Sequence, residues 1–105
     1  MEKDEFIHWL ITDFKYPQRG AEILYDEYLK ADDSIKKAFQ DYKQSREVPS
    51  LEIEGYSVSV LQKDHNMNVI ASLLTLDYLI KEPSKAKKSL QKGHDSVSPK
   101  KNIKQ

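Results

Sequence analysis

The chain has 105 residues, of which 38% are hydrophobic and 32% are charged, so it can form one small domain with a modest core. It has no cysteine and no apolar run near the ~20 residues of a membrane span, which excludes disulfide bonds, thiolate zinc sites and membrane insertion and favours the cytoplasm. The formal net charge of +0 is unevenly divided: residues 1–82 have ten Lys/Arg and sixteen Asp/Glu, a charge of −6, whereas residues 83–105 have seven Lys and one Asp, a charge of +6.

Three amphipathic helices are predicted in the first 48 residues. The first has apolar residues at helical spacing, at Phe6, Ile7, Leu10, Ile11 and Phe14. Pro17 ends it, because the residue before a proline is disfavoured in a helix, and can open the second. The second carries Ala21, Leu24, Tyr25, Tyr28 and Leu29 on one side. The third follows a cap at 31–34, carries Ile35, Ala38, Phe39 and Tyr42, and stops at 48–50.

An extended segment follows the third helix. Residues 51–54, Leu-Glu-Ile-Glu, alternate apolar and acidic side chains, which is the periodicity of a strand. No second strand is evident in the sequence. We therefore predict an extended arm at about 50–55, with Leu51 and Ile53 turned inward and Gly55 at the turn that ends it.

Two further helices are predicted between residues 57 and 81. Ser57 caps a short helix that contains Val58 and Leu61, and residues 64–66 form a turn. The helix at 67–81 has two apolar faces, Val69, Leu73, Leu76 and Ile80 on one and Met67, Ala71, Leu74 and Tyr78 on the other. Its polar stripes contain Asn68, Ser72 and Thr75, and Asp77 with Lys81. We expect a helix with two apolar faces to pack between its neighbours.

A weaker last helix begins at Pro83, has Ala86 and Leu90 as its apolar anchors, and is expected to end at Gly93. Residues 94–105 have little to bury and predict a disordered basic tail. The predicted fold is all-α, a compact bundle of five or six short helices forming a single domain over 1–93. In size and composition the chain resembles the small helical proteins of bacteria.

The hairpin at 57–81 resembles a DNA-binding helix-turn-helix in outline only. With Asn66 at the turn, the positions that require a small residue or an apolar one hold Gln62, His65, Ser72 and Thr75. The second helix has no Lys or Arg before Lys81, and Asn68 is its one amide. Nucleic-acid binding by this hairpin and the Lys-rich C-terminus stays an alternative function. Its candidate contacts are Asn68, Lys85, Lys87, Lys88 and Lys92.

The sequence contains no motif that predicts catalysis. The chain has no phosphate-binding glycine loop, no nucleophile elbow and no H-E-x-x-H zinc motif. Asp4 and His8 stand one helical turn apart, but two ligands do not make a metal site. We therefore expect no enzyme activity, no metal and no cofactor.

The leading hypothesis is a non-catalytic protein–protein interaction module that binds a protein partner or a second copy of itself. Tyrosine and tryptophan are enriched at protein interfaces, because they combine a large apolar body with a polar tip. The candidate interaction surface consists of Trp9, Tyr16, Tyr25 and Tyr56. The alternative is that these aromatic side chains form the rim of the core.

Overall fold

A computed structural model of the protein describes the backbone of residues 1–97 and the side chains of residues 1–91. This part of the chain contains six helices and two short strands, in the order α1 (Lys3–Phe14), α2 (Gln18–Lys30), α3 (Asp33–Ser45), β1 (Glu52–Ile53), β2 (Tyr56–Ser57), α4 (Val58–His65), α5 (Val69–Lys81) and α6 (Pro83–Val97). The predicted all-α class is confirmed, and the two strands are a minor addition to it.

Helix α5 is the centre of the bundle, since α3, α4, α6 and both strands pack against it. This confirms that the helix predicted at 67–81 lies between neighbours. The assignment of its faces was partly wrong, because Ser72 and Asp77 from the predicted polar stripes are buried, whereas Tyr78 is 39% exposed. Both buried polar side chains have hydrogen-bond partners: the Ser72 hydroxyl donates to the Asn68 carbonyl at 2.8 Å, and Asp77 accepts from a backbone N–H.

An aromatic cluster around Phe6 joins the first three helices. The Phe6 ring lies 4.8 Å from Tyr28, 5.4 Å from Tyr25, 5.8 Å from Phe39 and 5.9 Å from Trp9, measured between ring centroids. Phe6 and Phe39 are completely buried. Offset and edge-to-face contacts of this kind stabilise a core beyond the area that they bury. The cluster therefore fixes α1 and α2 against α3, from which the surface described below is built.

Short-range signals set the helix boundaries. The residues that precede α3, α4 and α5 cap these helices, because their side chains accept hydrogen bonds from backbone N–H groups in the first turn. Asp32 accepts from Ser34 at 3.1 Å, Ser57 from Val60 at 3.2 Å and Asn68 from Ala71 at 2.8 Å. At the other end, α1, α3 and α4 each finish in a residue with left-handed backbone, namely Lys15, Arg46 and Asn66. Helix α3 consequently ends three residues before the Val48 position where the sequence predicted its stop.

The predicted lone arm is instead one strand of a hairpin. β1 pairs with β2 antiparallel, with Glu52 opposite Ser57 and Ile53 opposite Tyr56. The two turn residues both have positive φ, 54° for Glu54 and 83° for Gly55, which is the conformation of a two-residue type I′ turn. The prediction missed the partner strand because it is two residues long and because Glu replaces the Asn or Asp that usually precedes glycine in this turn.

Ala86 and Leu90 of α6 are buried, as predicted, and the helix packs on α4 and α5. The predicted stop at Gly93 is wrong, since the helix continues to Val97. One glycine costs a helix only about 1 kcal/mol relative to alanine, which is too little to end it. The predicted tail therefore includes four helical residues at 94–97, and its remainder, 98–105, lies outside the described residues. None of the helices described here is both long and apolar enough to cross a membrane.

Candidate interaction surface

A groove of about 470 Å³ runs between α3 and the segment 47–51 that follows it. Its helix side is formed by Ser34, Lys37, Ala38, Asp41 and Ser45. These residues share one face of α3 because side chains three and four positions apart lie above one another on a helix. The other side is formed by residues 47–51. We call this feature the α3 groove.

The turn at the end of α3 brings the segment alongside the helix that it has just left. Arg46 has left-handed backbone, with φ of 65°, and its N–H donates to the Tyr42 carbonyl at 2.8 Å. The Glu47 N–H then donates to the Ser45 hydroxyl at 3.1 Å. The Arg46 guanidinium lies 3.0 Å from the Asp13 carboxylate, which ties this turn to α1. The mouth of the groove is therefore held by both hydrogen bonds and an ion pair.

The α3 groove is apolar in its floor and acidic at its rim. Ala38 is buried, Leu51 is half-buried, and Val48 leaves 45% of its surface exposed. Lys37 is neutralised by Asp41 at 3.0 Å, whereas Glu47 forms no ion pair with the described residues. The groove thus presents apolar side chains to solvent beside an unpaired negative charge.

One edge of β1 is unpaired in this two-stranded sheet. In an antiparallel pair, hydrogen-bonded and non-hydrogen-bonded residue pairs alternate, and the pair that closes a two-residue turn is hydrogen-bonded. Since Ile53 and Tyr56 close this turn, Glu52 belongs to a non-hydrogen-bonded pair and its N–H and C=O point away from β2.

Beside the groove, the backbone N–H and C=O groups of Val48 and Ser50 have no hydrogen-bond partner in the part of the chain that the structure describes. Pro49, which lies between them, has no N–H to donate.

Trp9 lies in the core, which corrects its assignment to an exposed surface. It is 5% exposed, and its ring packs edge-on against Phe14 with centroids 5.5 Å apart, and near Tyr42 at 6.2 Å. Its indole Nε1 has no hydrogen-bond partner among the described residues. Trp9 lies off the apolar stripe that the helical spacing identified, and it is buried because Tyr42 of α3 covers that side of α1 as well.

The three candidate tyrosines are half-buried and pack on separate elements. Tyr25 lies against Phe6, and Tyr56 lies 6.3 Å from the His65 ring of α4. The hydroxyl of Tyr16 accepts a hydrogen bond from the Asn68 side-chain amide at 2.9 Å. Each ring is thus fixed by neighbours inside the molecule, and no contact among the described residues joins the three into one patch.

The candidate nucleic-acid contacts are largely engaged within the molecule. Asn68 uses its oxygen to cap α5 and its amide nitrogen to bind Tyr16, so neither atom is free to read a base. The Lys85 ammonium pairs with Glu82 at 3.0 Å, and this carboxylate raises the pKa of Lys85. Lys87 pairs with Glu54 at 2.5 Å. Lys88 is exposed, and the side chain of Lys92 lies outside the described residues.

Two other clefts are polar and open. One, of about 500 Å³, lies between α1 and α2 and contains the Asp4 and His8 pair with Glu22. Within the described side chains, no group of three His, Asp or Glu residues is arranged to hold a metal ion. The other, of about 290 Å³, contains Glu5 and Lys43, whose hydrogen bond at 3.0 Å lowers the pKa of Glu5. Neither cleft has the exposed apolar side chains of the α3 groove.

The chain matches no protein-family model, no curated protein and no solved structure. Its function must therefore be argued from the geometry of its own surface.

Sequence reasoning missed the α3 groove, since residues 48–50 were predicted to stop the third helix and to lead into the arm at about 50–55, without a groove between the two. The available signal was the combination of Val48 and Leu51 with a flanking proline and the Glu54-Gly55 turn. Such a pattern predicts an extended segment that approaches a hairpin. Whether that segment is exposed depends on the turn at Arg46, and the residue types around this turn do not predict it.

Proposed function

We propose that this protein is a cytoplasmic, non-catalytic protein–protein interaction module whose recognition surface is the α3 groove. The observation that carries the proposal is the exposed apolar side chain of Val48 at the mouth of a groove bordered by unpaired backbone groups. Single exposed apolar side chains are common on protein surfaces, so the weight of the proposal falls on the groove that Val48 lines together with Leu51. The unpaired backbone N–H and C=O groups also favour a polypeptide as the ligand, because another polypeptide backbone can pair with them best.

A polypeptide suits this groove better than a small metabolite does. Small-molecule sites enclose most of the ligand surface and aim a few polar side chains at it. The α3 groove instead is an open trough along three turns of α3, and its only charged pair within the helix face, Lys37 with Asp41, is closed on itself. An elongated ligand that covers the trough along its length would bury more of Val48 and Leu51 than a compact one would.

Nucleic-acid binding remains the alternative, and the contacts of the described residues weigh against it. Asn68 is engaged by α5 and Tyr16, while Lys85 and Lys87 are paired with acidic neighbours. The helix that would read bases is α5, which is the centre of the bundle and buries five apolar side chains in it. A recognition helix has to enter the major groove of DNA, and a helix covered on several sides cannot do so.

The proposal is tested by placing a charge at the mouth of the groove. Val48→Glu does this, and Ile23→Glu on α2 is the matched control because Ile23 is 53% exposed and lies away from the groove. Proteins recovered from native cells by the tagged full chain are quantified for both variants. We expect a partner whose recovery falls about tenfold or more with Val48→Glu and is unchanged with Ile23→Glu, a loss of roughly 1.4 kcal/mol of binding free energy.

Analytical ultracentrifugation of the purified chain accompanies this comparison, since a second copy could occupy the groove. A dimer that Val48→Glu dissociates would make the partner another copy of the chain. A monomeric chain with no protein sensitive to Val48→Glu would contradict the proposed function.

A further inference from the structure

Resting on the proposed function, we propose that the chain regulates the α3 groove itself: its C-terminal segment, residues 98–105, binds in the groove and competes with the protein partner. The segment lies outside the described residues, and the backbone that leads to it is described as far as Val97. Three observations support this occupant, namely the place where α6 ends, the charges of groove and segment, and the apolar side chain that the segment contains.

Contacts between the helices identify the two ends of the bundle. At the first end, the last turn of α5 meets the junction of α2 and α3 through Lys81. At the second end, Arg46, which follows α3, pairs with Asp13 of α1. The hydroxyl of Tyr16, just after α1, accepts from Asn68, which precedes α5. Helices α3 and α5 therefore run antiparallel, and the groove opens at the second end, where segment 47–51 leaves α3.

Helix α6 leads the chain from the first end to the second. A single residue separates it from α5, and it packs along α5, so it runs back beside that helix. Its ion pair between Lys87 and Glu54 places it next to the β-hairpin that follows segment 47–51. The 15 residues of α6 rise about 22 Å and the 13 residues of α5 about 20 Å. Val97 therefore lies level with the end of the groove that is nearest to Arg46.

The segment is long enough to reach the groove from Val97. Helices α3 and α6 both pack on α5. Packed helices lie 8–10 Å apart, so the axes of α3 and α6 are separated by at most about 20 Å. Eight extended residues span about 26 Å, which exceeds that distance. The C-terminal segment can thus occupy the groove of its own chain without any change in the described fold.

Charge favours this segment as the occupant. Residues 98–105 contain three lysines and no acidic residue, and residues 1–82 carry a charge of −6. Glu47 lines the groove, is exposed, and forms no ion pair within the described residues. The lysine of the groove, Lys37, is already neutralised by Asp41. Two copies joined through their grooves would instead bring like charges together, which disfavours a second copy as the occupant.

The segment has one aliphatic side chain, Ile103, and the α3 groove has apolar positions to receive it. Val48 leaves 45% of its surface exposed, and Leu51 is half-buried. One aliphatic side chain and a few surface ion pairs give a free peptide only a roughly millimolar Kd. Attachment to α6 supplies an effective concentration of about the same size, so the tethered segment fills the groove part of the time. Partial occupancy lets a protein partner displace it.

The test follows the segment in the full chain by nuclear magnetic resonance. Because the chain has no cysteine, Gln105→Cys provides a single attachment point for a nitroxide spin label, which broadens the amide signals of nearby residues. Intensities are compared before and after chemical reduction of the label. We expect the amide signals of Val48 and Leu51 to lose most of their intensity, whereas that of Ile23, which lies on α2 away from the groove, changes little.

Two variants of the labelled chain separate the contributions of shape and charge. Ile103→Ser removes the aliphatic side chain, and substitution of the three lysines of the segment with glutamine removes its charge. Both keep the length of the segment and leave the packed part of α6 unchanged. Each should lower the docking equilibrium constant about tenfold, so the groove signals should recover.

Three results would overturn docking of the segment in its own groove: groove signals that are not broadened, signals broadened equally at Ile23, or broadening that persists in either variant. Broadening that grows with protein concentration would also overturn it, because the segment would then come from a second copy. The failure of the proposed function is a separate result. If Val48→Glu removes a cellular partner and the groove signals are not broadened, the groove binds a partner without this regulation. If the groove signals are broadened and no partner is lost, the segment docks but the proposed function fails.

Discussion

Asp77 and Asp32 are joined across 45 residues of sequence by a hydrogen bond in which the Asp32 backbone N–H donates to Asp77 Oδ1 at 2.8 Å. The other carboxylate oxygen of Asp77 lies 2.8 Å from Lys81 Nζ, and the same ammonium donates to the Lys30 carbonyl at 2.6 Å. Two residues of α5 thus hold both sides of the junction between α2 and α3. Because the α3 groove is one face of α3, this network determines where the groove begins.

Substituting Asp77 with alanine should destabilise the fold more than any change to its ion-pair partner. Hydrogen bonds to a charged group contribute about 1.5–3 kcal/mol, so Asp77→Ala should lower the free energy of unfolding by about 2 kcal/mol. Lys81 is partly exposed, and Lys81→Met, which also removes the hydrogen bond to the Lys30 carbonyl, should cost about 1 kcal/mol. Urea unfolding followed by circular dichroism measures the loss of unfolding free energy in both variants. Equal losses would show that Asp77 stabilises the fold through its ion pair with Lys81 and not through its hydrogen bond to the Asp32 backbone.

Gly55 and Gly20 should respond to alanine with opposite signs. Gly55 has φ of 83°, and although no atom lies within 4 Å of the position of an added Cβ, the left-handed backbone alone should cost about 1 kcal/mol. Gly20 is helical and its added Cβ would meet only Pro17, at 3.4 Å, so Gly20→Ala should stabilise by about 0.5 kcal/mol. Thermal unfolding of the two variants measures the contrast, and a stabilising Gly55→Ala would exclude the turn described here.

Much of this fold could be predicted from the sequence because its signals are local. The caps at Asp32 and Ser57 and the anchors Ala86 and Leu90 follow from residue type and spacing. The burial of Asp77 could not be predicted, since a carboxylate enters a core only when a distant backbone N–H meets it, and spacing says nothing of that N–H. The α3 groove was missed for a related reason: it depends on the left-handed residue Arg46, a conformation that arginine does not favour.

The stability of the protein should fall in acid through Glu5 and Asp32. The Lys43 ammonium lowers the pKa of Glu5 below its ordinary 4.5, and hydrogen bonds from the Ser34 hydroxyl and N–H lower the pKa of Asp32 below its ordinary 3.8. A depressed folded pKa means that the unfolded state binds protons first, so these contributions are present above the ordinary values and are lost as the pH falls through the lower folded ones. Glu5→Gln with Asp32→Asn, which keeps the cap, should flatten the decline in urea midpoint below about pH 5. An unchanged acid slope in this double variant would contradict the assignment.

Asn68 should matter for stability rather than for recognition. Asn68→Ala removes the cap of α5 and the bond to Tyr16, and should cost about 1.5 kcal/mol. Asn68→Asp keeps the capping oxygen and can accept from the Tyr16 hydroxyl, so its cost should stay within about 0.5 kcal/mol. Urea unfolding compares the two with Tyr16→Phe, which removes only the hydroxyl. A costly Asn68→Asp would mean that the amide nitrogen has a role that this geometry does not explain.

The basic C-terminus provides the direct test of nucleic-acid binding. Removing residues 84–105 would also remove Ala86 and Leu90 from the core, so a loss of binding in that truncation would report unfolding. Substituting Lys100, Lys101 and Lys104 with glutamine removes the charge and leaves the packed part of α6 unchanged. We expect neither chain to bind a duplex of about 20 base pairs in fluorescence anisotropy near 150 mM salt, because phosphate binding needs several free cations. Each phosphate contact contributes close to one unit to the slope of log binding constant against log salt concentration. Binding would therefore favour the nucleic-acid alternative if it weakened with salt and if this slope were smaller by about two to three in the triple variant.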